Sequence, residues 1–335
     1  MPRKIDWESQ IGRRLRLRDL HVFFTVVQRG SMAKAAAQLG VSQPAVSEVI
    51  ADLEHALGVR LLDRNSQGVE PTMYGRALLK RGTVVFDELK QSIRDIEFLA
   101  DPTSGEVRIG CAESLAAGLL PPVIQRFSAQ YPRVVLHINQ MITPTLDLPE
   151  LQARNLDVVL ARLGRPLANE GEDLNIETIF HDDLVIAAGM QSRWARRQKI
   201  DLAELVDEPW ILTPAHSWND TVLAEAFRVR GLPIPKAALT TFSVHLRASL
   251  LTMGPFLTTF PGSVLRVNAV RFSLKVLPID LPAQPWPVAV VTLKNRTLSP
   301  VVQLFIDHLR AFTTGLHVND EPPARLPAAR IHSTV

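Results

Sequence analysis

The sequence predicts an α+β multidomain protein with a small helical N-terminal domain, one long helix and a larger α/β domain. Its 335 residues correspond to about two average domains of ~150 residues. Apolar residues follow helical periodicity as far as Ala100, whereas strand-like and helix-like runs alternate after Gly105. Hydrophobic residues make up 46% of the chain and charged residues 21%, which is typical of a folded protein rather than a disordered one.

Membrane insertion and export are not expected from this sequence. No apolar run reaches the ~18 residues of a membrane span, and no apolar segment follows the basic residues near the N-terminus. Cys111 is the only cysteine, so an internal disulfide cannot form, which fits a reducing compartment. We therefore expect a cytoplasmic protein, with Cys111 as a small buried residue rather than an oxidant sensor.

Positive charge is concentrated at the N-terminal end. Residues 1–81 contain 13 Lys and Arg against 8 Asp and Glu, a net charge of +5, whereas residues 82–335 contain 24 against 26, a net charge of −2. A basic segment attached to a nearly neutral body indicates an anionic partner for the basic segment. Nucleic acid is the first candidate.

Three short helices are predicted near the N-terminus. The first has apolar residues at i, i+3, i+4 and i+7 and ends at Gly30. Ser31 can cap a second, alanine-rich helix that ends at Gly40. Ser42 can cap the third helix, whose first turn tolerates Pro44.

A hairpin and a long helix are predicted next. The hairpin, or wing, lies between Gly58 and Pro71 around a polar tip. Thr72 caps a helix that extends to Ala100, with apolar residues spaced 7, 3, 4, 3 and 4 apart and a weak position at Gly82. This a/d spacing predicts a dimerisation face. The face is formed by Leu79, Phe86, Leu89, Ile93 and Ile96.

The C-terminal part is predicted to be an α/β domain. Residues 101–105 are rich in turn formers and predict a hinge. The alternation beyond them predicts right-handed parallel βαβ units. Strands are predicted at 107–110, 134–140, 158–161, 184–188, 210–212, 257–260 and 288–293. Helices are predicted around 123–131, 146–154, 222–229, 245–252 and 300–313, and a disordered tail at 316–335.

Four strings near the N-terminus carry a family resemblance. They are LHVFF at 20–24, RGSMAKAAAQL at 29–39, VSQPAVS at 41–47 and LGVRLLDR at 57–64. In this order they resemble the DNA-binding head of the LysR-type transcriptional regulators. The likeness extends more loosely to about residue 315 through the long helix and the α/β part.

The resemblance implies an arrangement of domains and a function. It implies a winged helix-turn-helix, a linker helix that dimerises, and an effector domain of two subdomains like a periplasmic binding protein. The expected function is transcriptional regulation in response to a small-molecule effector, by a homotetramer built as a dimer of dimers that alters DNA bending and polymerase contact. The expected boundaries are an arm at 1–14, the head at 15–72, the linker helix at 73–100, and the effector domain at 106–315, with subdomain I at 106–163 and 268–315 and subdomain II at 164–267.

The start of the third helix is the expected base-reading surface. In a helix-turn-helix the second helix enters the major groove with its N-terminal residues toward the bases, here Ser42, Gln43, Pro44 and Ser47. The amide of Gln43 suits adenine N6 and N7, and Pro44 suits a thymine methyl group. Ser42 and Pro44 also suit the start of any helix, and that role is compatible with DNA contact.

Basic residues outside the helix are expected to bind the DNA backbone. Arg29, Lys34 and Arg64 lie at helix ends and on the wing, where phosphate or minor-groove contacts are made. Many relatives place arginines after the second serine of the recognition helix. This chain instead has acidic or small residues at those places, so the N-terminal arm gains importance. They are Glu48, Ala51 and Asp52, and the arm carries Arg13, Arg14, Arg16 and Arg18.

The effector is expected in a cleft between the two subdomains, with the chain crossing near 163–166 and 264–270. The candidate effector-binding residues are Glu113, Ser114, Thr143, Arg162, Ser217, Trp218 and His245. Ser114 and Arg162 favour an organic acid, whereas Glu113 suits the hydroxyl groups of a sugar-like molecule and Trp218 suits an aromatic ring. The class of effector stays open at this point.

The sequence lacks the common signatures of catalysis and metal binding. The sequence contains no Gly-x-Ser-x-Gly elbow, no phosphate-binding glycine loop, no Cys-x-x-Cys pair and no histidine spacing suited to a metal. We therefore expect no enzyme activity, cofactor or metal. An architectural DNA-binding protein without an effector is the alternative, and it would bind DNA with little sequence discrimination.

Overall fold

The structure is a computed structural model that describes residues 15–65, 68–141, 148–163, 173–282 and 284–318. Several predicted features lie outside these residues. They are the arm at 1–14, Thr143, the first two residues of the helix predicted at 146–154, most of the crossing predicted near 163–166, and the tail from residue 319 onward. The chain divides into two compact units, residues 1–90 and 91–335, which are described separately.

The N-terminal unit contains three short helices, a two-stranded hairpin and most of a long helix. The elements are α1 Leu17–Arg29, α2 Met32–Leu39, α3 Gln43–Leu57, β1 Leu62–Asn65, β2 Gly68–Pro71 and α4 Met73–Ala100. Strands β1 and β2 are antiparallel. This is the predicted winged helix-turn-helix followed by the predicted long helix, which crosses from the first unit into the second.

The predicted caps position these helices. Gly30 (φ 61°) and Gly40 (φ 65°) adopt left-handed conformations at the ends of α1 and α2, which glycine allows without a steric cost. The hydroxyl oxygen of Ser31 accepts a hydrogen bond from the backbone N–H of Lys34, and that of Ser42 accepts one from Ala45. The predicted helix boundaries in the head are therefore confirmed.

The predicted dimerisation face has two different environments. Leu79 and Phe86 pack against the core of the head, and the Phe86 ring meets Phe24 edge-on with centroids 5.3 Å apart. Gly82 lies directly against the Phe24 ring, so it provides close packing within the head rather than a weak point in a seam. Only the later residues of the predicted face are exposed. They are Leu89, Ile93 and Ile96.

Gly75 shows how tightly α4 packs against the wing. A Cβ atom at this position would collide with the backbone carbonyl oxygen of Leu61. Alanine normally stabilises a helix by about 1 kcal/mol relative to glycine. At position 75 the collision outweighs this gain, so alanine is expected to destabilise the head. We expect Gly75→Ala to lower the free energy of unfolding of the head by about 1–3 kcal/mol.

Chemical denaturation of the N-terminal unit measures this effect. Arg76→Ala is the matched control, because Arg76 is an exposed neighbour on the same helix and its replacement is expected to change stability by less than about 0.5 kcal/mol. A Gly75→Ala variant more stable than the parent would contradict the packing described here.

The last turns of α4 belong to the second unit. Gln91 is buried, and Phe98 packs on the apolar core of the α/β part. The predicted hinge at 101–105 is wrong in two respects. The division between the units lies after Lys90, because the end of the helix packs on the second unit, and Ser104 and Gly105 already form the first residues of a strand.

The second unit contains two five-stranded sheets, each covered by helices. The first sheet has the order β4-β3-β5-β12-β6. Its strands are β3 Ser104–Cys111, β4 Arg133–Gln140, β5 Val158–Arg162, β6 Leu174–Asp182 and β12 Trp286–Leu293. Its helices are α5 Glu113–Gly118, α6 Leu120–Gln130, α7 Pro149–Gln152 and α11 Pro300–Val318. These elements form subdomain I.

The second sheet has the order β11-β7-β10-β8-β9. Its strands are β7 Leu184–Gly189, β8 Trp210–Leu212, β9 Ala237–Thr240, β10 Leu257–Pro261 and β11 Leu274–Val276. Its helices are α8 Trp218–Val229, α9 Val244–Met253 and α10 Gly262–Asn268. These elements form subdomain II, and within the described residues no helix is long and apolar enough to cross a membrane.

The parallel pairs that the alternation predicts join β3 to β4 and β5, and β8 to β9 and β10. The sheets as a whole are mixed, because β12 is antiparallel to β5 and β6, and β7 is antiparallel to β10 and β11. The predicted start of the tail at residue 316 is wrong, because the closing helix extends to Val318.

The crossings between the subdomains also differ from the prediction. The chain crosses at Asp183, between β6 and β7, and again between Val276 and Trp286. Most of the crossing predicted near 163–166 lies outside the described residues, and the strands on either side of it, β5 and β6, belong to the same sheet. The crossing predicted near 264–270 is wrong, because these residues pack within subdomain II. Polar residues interrupt the apolar pattern of β6, so the sequence pattern missed this strand.

Candidate DNA-binding and effector sites

The first turn of α3 is exposed and carries both a polar side chain and a proline ring. Gln43 and Pro44 are exposed, and Ser47 is half-buried one turn later. Val46 and Ile50 face the core of the head, so the opposite side of the helix is available to a partner. The geometry keeps the predicted base-reading residues together on one face, with Ser42 as the N-cap.

The three basic residues predicted to bind the DNA backbone make different contacts within the head. The guanidinium of Arg64 on β1 donates a hydrogen bond to the Ser47 hydroxyl at 3.2 Å, which joins the wing to the recognition helix. Arg29 donates a hydrogen bond to the side-chain oxygen of Gln38, and Lys34 is exposed on α2. All three basic side chains therefore reach the surface of the head.

A buried aspartate lies where the chain first crosses between the subdomains. Asp182 is the last residue of β6, and its side chain is fully buried. Its carboxylate accepts hydrogen bonds from Arg162 at 2.7 Å and from both the backbone N–H and the hydroxyl of Ser263, at 2.9 and 2.6 Å. Asp182 thus joins the end of β5 in subdomain I to the start of α10 in subdomain II. The local sequence around Asp182 did not single it out as a site residue, because its partners lie 20 and 81 positions away.

Arg162 connects this aspartate to two other candidates. One guanidinium nitrogen, Nη1, donates to the Ser114 hydroxyl at 2.7 Å, while Nη2 donates to Asp182. The guanidinium carbon lies 5.5 Å from the centre of the Trp218 ring, an arrangement typical of a cation–π contact. Ser114, Arg162 and Trp218, predicted as separate candidates, therefore meet at the cleft.

A second contact crosses the cleft. A carboxylate oxygen of Glu113 in subdomain I accepts a hydrogen bond from the backbone N–H of Val244, the first residue of α9, at 3.0 Å. Arg247 on the same helix is buried and donates to the carbonyl oxygens of Phe242, Ser243 and Thr259. Burial lowers the pKa of Arg247 to about 10, an effect that the negative charge of Glu113 opposes. Glu113 thus acts as a contact between the subdomains in this structure.

Two tryptophans from the two subdomains meet beside Arg162. Trp218 is the first residue of α8, and Trp286 is the first residue of β12. Their rings are 5.2 Å apart at an angle of 33°, within the range of favourable aromatic contacts. Trp286 was not among the predicted site residues, because nothing in its local sequence indicates that a crossing brings it to the cleft.

The remaining candidates are less central. The hydroxyl oxygen of Ser217 caps α8 by accepting from Asp220 N–H and bonds to the Thr213 hydroxyl at 2.7 Å. His245 is exposed at the start of α9. Thr143 lies outside the described residues.

Cys111 is a buried residue at the end of β3. Burial raises the pKa of its thiol to about 11, which a backbone hydrogen bond and the charge of Arg162 only partly offset. The reactive thiolate form is therefore scarce near neutral pH. Within the described residues, no group of three or more His, Cys, Asp or Glu side chains could hold a metal ion.

The chain combines a winged helix-turn-helix, whose recognition helix is exposed, with a long helix and a two-subdomain α/β domain. This combination defines the class of ligand-responsive DNA-binding regulators. Comparison with protein families agrees with this class. Residues 17–76 match the bacterial regulatory helix-turn-helix protein family of the lysR type, and residues 100–313 match the LysR substrate binding domain. The chain belongs to the LysR family of DNA-binding transcriptional regulators.

Individual relatives cover almost the whole chain. The uncharacterized HTH-type transcriptional regulator YdcI of Escherichia coli K12 is 26% identical over 302 residues, which are 90% of this chain and 97% of YdcI. The transcriptional dual regulator GltC of Bacillus subtilis 168 is 28% identical over 303 residues, which are 90% of this chain and 99% of GltC. A solved structure of a full-length OxyR variant from Pseudomonas aeruginosa has a TM-score of 0.60 at 20% identity, covering 88% of this chain and 95% of that chain, which supports the fold.

Proposed function

We propose that this regulator reads DNA sequence through the first turn of α3 and is switched by an effector bound in the cleft of the second unit. The observation that carries the proposal is the cluster of Ser114, Arg162, Asp182 and Trp218, which joins both subdomains at a crossing. A ligand that binds the open and closed arrangements with different affinity would shift the equilibrium between them. This shift would change the spacing of the DNA-binding heads in the oligomer, and with it the bend of the bound DNA.

The base-reading role of Gln43 is tested by comparing specific with random DNA. We expect Gln43→Ala to weaken binding to the selected operator by about 1–3 kcal/mol and to relax the preference at one base pair. Arg64→Ala is the matched variant and is expected to weaken binding to all sequences alike, because a phosphate contact carries no sequence information. The measurement is a gel-shift titration of both variants on operator and random DNA, after selection of genomic fragments by the parent protein. Equal losses on both DNAs for Gln43→Ala would contradict its assignment as a base reader.

Effector control is tested in the same assay with a panel of metabolites. We expect one compound to change the mobility or the footprint of the operator complex. A compound that binds the second unit and leaves the footprint, the DNA bend and transcription unchanged would contradict the switching mechanism.

We further propose that the exposed part of α4 mediates dimerisation. Exposure supports this role for Leu89, Ile93 and Ile96, whereas Phe86 is unsuitable for a test because its replacement would damage the head. Ile93→Glu would place a charge in the apolar contact, so we expect dimerisation to weaken at least tenfold, or about 1.4 kcal/mol. Light scattering measures the mass, and Lys90→Glu on the same helix is the control. An unchanged mass for Ile93→Glu would refute this placement.

The remaining expectations concern assembly, location and chemistry. Membership of a family of bacterial transcriptional regulators supports a homotetramer built from two dimers, contact with RNA polymerase, a cytoplasmic location and the absence of enzyme activity. An architectural DNA-binding protein without an effector is the second candidate. Glu48 and Asp52 on the exposed side of α3 argue against it, because their negative charges repel DNA phosphates.

A further inference from the structure

We propose that the effector is a planar, conjugated molecule carrying a carbonyl-type acceptor oxygen, and that Arg162, Trp218 and Trp286 select it. The proposal rests on the proposed function, in which the cleft of the second unit is the effector site. It names the chemical class of the ligand, which the sequence analysis left open among organic acids, aromatic molecules and sugars.

Two buried donors in this cluster have no hydrogen-bond partner among the residues that the structure describes. Arg162 uses both terminal nitrogens, on Ser114 and Asp182, and its side chain is 10% exposed. Its third nitrogen, Nε, and the indole Nε1 of Trp218 are buried and find no acceptor in the described part of the chain. Buried donors are almost always paired in folded proteins, so each of these two donors indicates a missing acceptor. Both groups can only donate, so the partner of each must be an acceptor.

The charges of the cluster do not require an anion. The positive charge of Arg162 is already paired with the buried carboxylate of Asp182 at 2.7 Å. The acceptor can accordingly be the oxygen of a carboxylate or of a neutral carbonyl group, because either can accept two hydrogen bonds. Glu113 supplies a further negative charge at the cleft, which adds no preference for an anion.

The flat faces in the cluster select shape. The Trp218 ring is covered by the Arg162 guanidinium at 5.5 Å and meets the Trp286 ring at 5.2 Å. Aromatic rings pack on one another in stacked or edge-to-face arrangements that add to the free energy of area burial, and a saturated ring does not offer this contact. The two tryptophan rings come from opposite sides of the cleft and are already in contact, so a planar ligand enters when the subdomains separate and takes the place of one ring against the other.

Four probes of similar size test the proposal on the full-length protein. Benzoate and benzamide combine a planar ring with an acceptor oxygen, cyclohexanecarboxylate keeps the acid on a saturated ring, and myo-inositol offers hydroxyl groups alone. We expect benzoate, benzamide or both to bind at least tenfold more tightly than the last two, by calorimetry and tryptophan fluorescence. The comparison of benzoate with benzamide tells a carboxylate from a neutral carbonyl. The proposal would be overturned if cyclohexanecarboxylate or inositol bound as tightly as the planar probes. It would also be overturned if neither planar probe bound.

Conservative variants place the binding in this cluster. Trp218→Phe keeps an aromatic ring and removes the donor, and we expect at least fivefold weaker binding of the planar probe. Trp286→Leu removes the second flat face and should weaken the planar probe without affecting cyclohexanecarboxylate. Trp194→Phe is the control, because the indole of Trp194 donates to Glu208 in a different part of subdomain II. Unchanged affinity in both cleft variants would refute the assignment.

The gel shift separates this inference from the proposed function. A saturated acid or a polyol that binds and alters the operator complex would preserve the proposed function and overturn the ligand class. A planar probe that binds with the expected variant pattern and leaves the operator complex and transcription unchanged would support the ligand class and contradict the switch.

Discussion

Replacing Asp182 with asparagine is expected to lower the free energy of unfolding of the second unit by about 3–5 kcal/mol. The side chain is fully buried, and its two oxygens accept three hydrogen bonds, one from Arg162 and two from Ser263. Asparagine keeps the shape but carries no charge, so the Arg162 guanidinium would remain buried beside a neutral amide. Breaking one side of a buried ion pair costs far more than losing an exposed one.

Tryptophan fluorescence during urea unfolding measures this loss, because Trp194, Trp210, Trp218 and Trp286 all lie in the second unit. Asp183→Asn is the matched control, since Asp183 is the exposed neighbour on the same crossing, and a change below about 1 kcal/mol is expected. Binding of the N-terminal unit to DNA fragments should be largely retained. Equal stability losses in the two variants would show that Asp182 does not join the subdomains as described.

Replacing Asp157 with asparagine is expected to cost a similar amount, about 3–5 kcal/mol. Asp157 precedes β5, and its carboxylate accepts hydrogen bonds from the backbone N–H of Arg108 at 2.9 Å, from Arg296 at 3.0 Å and from Arg94 at 3.4 Å. Asp157 and Arg296 have side chains that are only 1% exposed. The variant would leave the buried guanidinium of Arg296 facing a neutral amide.

Asp157 has a second role that distinguishes it from Asp182. Arg94 lies on the last part of α4, so its ion pair fastens the end of the linker helix to subdomain I. We therefore expect faster amide hydrogen exchange over residues 91–100 in Asp157→Asn and little change there in Asp182→Asn. Arg94→Gln removes only this ion pair, so it should also speed exchange over 91–100; because Arg94 is 17% exposed, its loss should cost no more than about 1–2 kcal/mol of stability. Unchanged exchange over 91–100 in Asp157→Asn would contradict the coupling.

The head was predictable because its signals are local. Ser31 and Ser42 each accept a hydrogen bond from the backbone N–H three residues ahead, at the starts of α2 and α3. Gly30 and Gly40 adopt the left-handed conformations that end α1 and α2. The same locality places Gln43 on the exposed first turn of α3. Its role in reading bases stays a prediction.

The two environments of the predicted dimerisation face have a tertiary cause. The a/d spacing identified an apolar stripe on α4, but spacing does not say what covers each residue. Phe86 is covered by Phe24 of the same chain, whereas Ile93 and Ile96 remain exposed. Intramolecular packing and a helix–helix seam require the same residue types at the same spacing, so the sequence pattern could not separate them.

The sequence by itself determined the helix-turn-helix, the long helix and most strands, because caps, glycines and periodicity act over a few residues. Only the tertiary structure decided the cleft. Arg162 reaches Asp182 across 20 positions, Asp182 reaches Ser263 across 81, and Glu113 reaches Val244 across 131. Those contacts depend on the order of the strands in two mixed sheets and on where the chain crosses between them. Both are set by burial of the whole apolar core rather than by any local pattern.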